Sequence, residues 1–324
     1  MIDKLDLRVP RLAGFSAEFQ RLYQDLRNDP KGPFKPSKHY TAVADLRRYG
    51  YPCVLHTFCN SDKEGNHKLE VIDAGLLGYS RMQAEIARVF AVDSRRLGLM
   101  RLDLAADVHG VSVNWFEQHV IAKWKRYTCS YGRTSADFEF CEMGRRGVET
   151  FYAGRRPCLF RIYDKIAELL HQHARMVRRL SREARANCPS FEETSGYPET
   201  LILTRVERQF GGGRLPVKLA TFGALRRAAE VNPFEPLILT AAGAVEPNPR
   251  DHDLTRYLAG MQLRSMVQRQ GIHRVKQWIN KHSTRNGSRY LETYAQFLPA
   301  VGEGITSERL LERYRESVSR QLAA

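Results

Sequence analysis

The chain has 324 residues, with 51 Lys+Arg against 36 Asp+Glu, a formal charge of +15. Its 43% hydrophobic and 10% aromatic residues can fill a core, which excludes wholesale disorder, and the length suits two domains or one domain with an appendage. No apolar run reaches the ~18–20 residues of a membrane span and none has signal-peptide flanks, so a soluble cytoplasmic protein is expected, with polyanions as partners at a pI of 9.7.

The opening Met1–Leu7 alternates polar and apolar residues and reads as a strand. Ser16–Arg27 has helical spacing, and Asp29–Ser37, with three prolines and a glycine, reads as a loop. Tyr51–Phe58 and His67–Ile72 read as two strands joined by a polar turn over Asn60–Asn66, followed by an amphipathic helix over Tyr79–Val92. Leu97–Asp107 reads as a buried strand broken by Gly110, and Val113–Tyr127 as a helix. Strands are then expected at Asp137–Glu142, Val148–Ala153 and Leu159–Lys165, the last two joined by a hairpin turn at Gly154–Pro157. A helix over Ile166–Arg185, a loop over Asn187–Tyr197 and a strand over Glu199–Phe210 complete this part. Val217–Glu230 reads as helical, Pro233, Pro236, Pro247 and Pro249 mark a linker, and the remainder is helical.

This order suits an α+β fold: a mostly antiparallel sheet with helices on one face, followed by a C-terminal helical region. The expected division is 1–245 and 246–324. Six cysteines without a C-x-x-C pair read as reduced core thiols rather than a zinc site.

Charge is uneven. Residues 145–186 carry eleven basic side chains against four acids and bracket the expected hairpin. A solvated basic helix face is the plainer account of that stretch, and a polyanion contact the sharper one.

Period-two geometry puts Arg101, Asp103, Ala105 and Asp107 on one strand face, Arg205, Glu207 and Gln209 on another, and Lys68 with Glu70 on a third. If these strands are neighbours, carboxylates converge, and oxygen ligands of that kind suit Mg²⁺ or Mn²⁺. Ordinary sheet ion pairs, each acid answered by Arg101, Arg205 or Arg208, explain the same pattern. In Phe160–Lys165, Arg161, Tyr163 and Lys165 alternate onto one face. A phenol with a pKa near ~10 needs a cation beside it to act as a nucleophile, and Arg161 and Lys165 would supply one.

In these motifs the chain resembles the filamentous-phage gene-two replication initiators, the nicking–closing proteins, and more distantly the Rep_trans plasmid initiators. R-L-D-L-A-A-D at Arg101–Asp107 is similar to their R-I-D strand. R-I-Y-D-K at Arg161–Lys165 is similar to the tyrosine strand, and T-R-V-E-R-Q at Thr204–Gln209 to the R-x-E strand. The opening MIDKLDLRVP is also similar, and the resemblance runs from residue 1 to about 220.

The resemblance implies rolling-circle initiation. Tyr163 would cleave one DNA strand and keep the 5′ phosphate, with Arg161 and Lys165 neutralising the transition state. Asp103 and Glu207, with Glu70, would hold Mg²⁺ or Mn²⁺, and Asp107 fits the plasmid pattern better than the phage one. Arg155, Arg156, Arg178, Arg179 and Arg205 are the cations expected on DNA. A replication origin, a host helicase and a single-strand binding protein are the implied partners. The alternative is a non-enzymatic origin-binding or repressor protein. His171-Gln-His173 does not supply a two-histidine metal strand, since residues two apart on a helix point about 200° apart. His282–Arg285 before Tyr290 has the wrong spacing for a tyrosine recombinase. The C-terminal cations Arg264, Arg269, Arg274, Lys276, Lys281 and Arg285 are expected to grip DNA, so truncation near residue 245 should weaken binding.

Overall fold

The computed structural model describes residues 1–29, 32–60, 64–113, 115–116, 120–122, 139–144, 147–155, 158–181, 184–185, 187–211, 215–239, 253–270, 272–283, 287–294, 297–298 and 305–324. Strands β1 (Ile2–Val9), β2 (Tyr40–Asp45), β3 (Cys53–Cys59), β4 (His67–Val71), β5 (Gly98–His109), β7 (Glu139–Gly144), β8 (Gly147–Arg155), β9 (Cys158–Asp164) and β10 (Leu203–Gly211) form one nine-stranded sheet. Its order is β2-β3-β4-β1-β5-β10-β9-β8-β7, and every pairing is antiparallel. The fold is therefore α+β. β6 (Val120–Ala122) and β11 (Leu237–Leu239) pair separately.

Alternation builds the two sheet faces. In β1, Leu5, Leu7 and Val9 are buried on one side while Lys4, Asp6 and Arg8 take the other. Leu102, Leu104, Ala106 and Val108 of β5, Val206 of β10 and Ile162 of β9 extend the apolar side. Onto it pack α1 (Ala17–Asn28), α2 (Tyr79–Val89) and the last helix, α8 (Ser307–Ala323). Ser16 caps α1 by accepting from the Phe19 amide at 3.1 Å. Tyr314 of α8 is buried in this core and its hydroxyl donates to the Ala228 carbonyl at 2.7 Å. Gln321 of α8 pairs with the Ile2 backbone in both directions, at 2.7 and 3.1 Å. The last helix is thus part of the sheet's own core and not of a unit that begins near residue 246.

Between them, α5 (Leu254–Gln270), α6 (Ile272–His282) and α7 (Gly287–Thr293) share a separate small core of Leu263, Val267, Val275, Ile279, Leu291 and Leu298. Gly260 is required there: a Cβ at that position would come within 2.3 Å of the Phe297 ring.

Several expected elements differ. β9 ends at Asp164, whose carboxylate caps α3 (Lys165–Arg178) by accepting from the Ala167 amide at 3.0 Å. Lys165 therefore opens a helix instead of continuing the strand, and the helix stops seven residues before Arg185. Because no loop separates β9 from α3, the helix starts beside the strand end. Ile166 there joins Leu203 and Phe191 of the short α4 (Phe191–Ser195) in a third cluster. The sequence reads residues 187–197 as loop, yet Ser190 and Glu193 form a capping box. Val120–Ala122 is extended where a helix over 113–127 is expected, because Leu237–Leu239 pairs with it. Val217–Glu230 is two 3₁₀ segments. β2 has no counterpart in the expected elements. The Gly154–Pro157 turn and residues 240–252 lie outside the described residues or partly so, although Arg155 and Cys158 pair across the hairpin. Cys53 and Cys188 are free thiols. Among the described residues no helix is long and apolar enough to cross a membrane.

Candidate active site

Register assembles the polar face. Arg205 of β10 lies opposite Asp107 of β5 and Tyr163 of β9, and Glu207 lies opposite Ala105 and Arg161. Gln209 is opposite Asp103, and Thr150 and Tyr152 of β8 stand opposite Tyr163 and Arg161. Asp103, Asp107, Arg205, Glu207, Arg161 and Tyr163 therefore occupy three adjacent strands, about 5 Å apart.

Tyr163 is 2% exposed. The Arg161 guanidinium carbon sits 4.0 Å from its ring centroid, and Lys165 Nζ is 5.8 Å away. Glu168, in the first turn of α3, holds both cations, at 2.6 Å from Lys165 and 3.6 Å from Arg161. Burial raises the Tyr163 phenol well above its ordinary value, and the nearby charges of Asp3 and Glu207 add to the rise. At rest this tyrosine is a protonated, shielded phenol.

Glu207 is also buried and accepts from Gln209 Nε2 at 2.9 Å. Burial, with Asp3 and Asp103 adding negative charge, pushes its carboxyl up to about 7. Asp103, buried beside it, is raised by desolvation, and Arg101 opposes that shift with a two-pronged contact at 2.9 and 2.5 Å. Asp107 is clasped by Arg205 through Nε and Nη2, at 2.6 and 2.7 Å, and Arg205 also holds Asp3.

Glu70 stands apart. It lies opposite Asp6, on β4, with β1 separating it from β5. There it meets Lys68 at 2.6 Å and His56 at 3.1 Å, and that hydrogen bonding, His56 first, holds its carboxyl down to about 2. Lys68 also binds Asp6 at 2.9 Å.

The expected ligand set thus separates into three arrangements. Glu70 belongs to the β3–β4–β1 ion pairs, Asp107 is an Arg205 partner, and Asp103 and Glu207 form a mutually repelling pair. Among the described residues no three His, Cys, Asp or Glu side chains form a group that could hold a metal ion, and Glu70 is not brought together with Asp103 and Glu207. Asp103 and Asp107 each contact an arginine along or across the strand, while Glu207 accepts from Gln209 and faces Arg161 across the β10–β9 pair.

Arg178 and Arg179 are exposed at the end of α3, away from Tyr163 by the helix length. Arg205, expected on DNA, is instead buried in its Asp107 and Asp3 contacts. Arg155 ends β8, its side chain outside the described residues together with Arg156. Asp3, Gln209 and Glu168 are the site residues that the motif reading does not assign. A register shift between Ile2 and Lys4 allows Asp3 to reach Arg205, and no residue spacing signals a bulge. Glu168 had a signal, the i,i+3 spacing from Lys165. Comparison with protein-family models, curated proteins and solved structures finds no match.

Proposed function

We propose that the chain is a DNA nicking and strand-joining enzyme that initiates rolling-circle replication, on an α+β scaffold of the nickase type. The observation that carries this reading is the coupling of Tyr163 to both Arg161 and Glu207 on adjacent strands. The Tyr163 oxygen attacks the scissile phosphorus as its proton passes to water. The bond from phosphorus to the 3′ oxygen breaks, and that oxygen leaves as a hydroxyl after taking a proton from water. The 5′ phosphate stays on Tyr163, and Arg161 offsets negative charge as the new bond forms. Attack by a later 3′-OH reverses the step and closes the strand, with no other energy source.

Mg²⁺ or Mn²⁺ belongs to the proposal through Asp103 and Glu207 alone, since such ions usually take one or two carboxylates plus phosphate oxygens. The origin, host helicase, single-strand binding protein and a bacterial cytoplasmic setting belong to it through the sequence resemblance.

The burial of Tyr163 favours a second reading, an origin-binding or repressor protein without chemistry. One assay separates the two. Supercoiled DNA bearing the chain's own origin is incubated with and without Mg²⁺ or Mn²⁺, and products are run on a denaturing gel that detects attached protein. A nick carrying protein on its 5′ end, lost in Tyr163→Phe, supports the enzyme. Tight binding without any nick supports the second reading.

A further inference from the structure

The outer face of α6 carries a feature the site above does not use. Val275 and Ile279 turn inward to the three-helix core, leaving Arg274, Trp278, Lys281 and His282 outside. Spacings of four, three and four residues from Trp278 put these side chains on one helix face. The Trp278 indole is 50% exposed, and the His282 ring lies against it at 5.3 Å. Tryptophan is the largest apolar side chain and is highly buried on average, so leaving half of it in water in the midst of cations is uneconomical for packing alone.

The surroundings supply charge complementarity. Residues 253–294 contain eight Lys and Arg against two acids, six of the chain's fifteen surplus charges in 42 of its 324 residues. No ion pair is formed by Arg274, Lys281 or His282 among the described residues, in contrast to the cations of the sheet face.

We infer that this face binds single-stranded DNA, stacking an unpaired base on Trp278 while Arg274 and Lys281 meet the flanking phosphates. An exposed indole flanked by cations matches the two components of single-strand recognition, a π-surface and a positive track. A duplex grip needs only the cations, since paired bases do not offer their faces. The choice of DNA rests on the proposed function, but the stacking does not depend on Tyr163, so the two fail separately: Tyr163→Phe should bind as wild type does.

The test uses the full-length chain without divalent ions, an oligo(dT) strand, and a duplex of equal length. Truncation near residue 245 is unsuitable, because it would also remove α8 from the sheet core. Trp278→Ala should weaken oligo(dT) binding about 5- to 150-fold, the span of one stacked base, and barely change duplex binding. Trp278→Lys removes the ring and adds a charge. Stacking predicts weaker single-strand binding by this variant, and a pure phosphate grip predicts stronger binding. The inference is overturned if Trp278→Lys binds oligo(dT) as well as or better than wild type, or if Trp278→Ala lowers single-strand and duplex binding equally. Since Trp278 is half outside the core, unchanged melting of both variants is expected.

Discussion

The polar face of the sheet and the outer face of α6 are built from similar residue types under opposite constraints. On the sheet, Arg101, Arg205, Lys68 and Lys165 are each within 3 Å of a carboxylate, and Asp103, Glu207 and Arg205 are buried. On α6, Arg274 and Lys281 face water beside an open indole. Charges that are buried and mutually satisfied hold a geometry and shift one another's proton affinities. Charges left in water hold no geometry and are free for a polyanion. The first region is suited to chemistry at a fixed point and the second to grip.

That contrast is broken most directly through stability. Arg205→Ala leaves Asp107 and Asp3 without their cation on a buried face, and should cost about 3–5 kcal/mol in chemical denaturation. Arg274→Ala should change the unfolding free energy by no more than about 0.5 kcal/mol. Similar losses at the two positions would erase the distinction.

The next effect is on pH. Glu70, held at about 2 by His56 and Lys68, favours folding above pH 4.5, and that contribution drains away as pH falls toward 2. His67, kept neutral down to about 4 by burial among Phe15, Phe58 and Phe90, favours folding above pH 6.5 and loses that contribution on acidification. Glu207 has the opposite sign. Its carboxyl is raised to about 7, so the folded state is favoured below pH 4.5 and loses ground as pH rises through 7. Glu207→Gln should therefore gain stability over wild type at pH 8 and show little difference at pH 4, measured by melting across that range. Equal differences at both pH values would mean that Glu207 is not the buried acid described.

A smaller effect sharpens the second region. Arg274→Ala and Lys281→Ala should each reduce the slope of log affinity against log salt by about 0.7 on single-stranded DNA. Arg101→Ala should leave that slope unchanged, because its charge is already committed to Asp103.

The sheet's polar face was legible to the extent that strand period governs it. Asp103 and Asp107, Arg205 and Glu207, and Arg161 and Tyr163 share faces as alternation requires. Which strands are neighbours is a matter of topology that alternation does not show, and β1 runs between β4, which carries Glu70, and β5, which carries Asp103. Lys165 was misplaced for a local reason, the capping carboxylate of Asp164, which ends the strand one residue earlier than apolar alternation suggests. The division at residue 245 followed the prolines. It could not register that Leu310, Tyr314 and Val318 return to the first core after an intervening helical unit with its own apolar cluster. Trp278 lies in a stretch that the sequence marks only as helical, and its exposure distinguishes it from the buried Val275 and Ile279.

The central claim is that Tyr163 forms the bond to DNA, and a mass measurement addresses it at the residue. Protein incubated with origin DNA and metal is digested with nuclease and trypsin, and the peptides are searched for a retained nucleotide. The account predicts the adduct on Ile162–Lys165, the tryptic peptide that contains Tyr163 and no other tyrosine. An adduct on Gly147–Arg155, which contains Tyr152, or a protein that nicks its origin without any retained nucleotide, would contradict it.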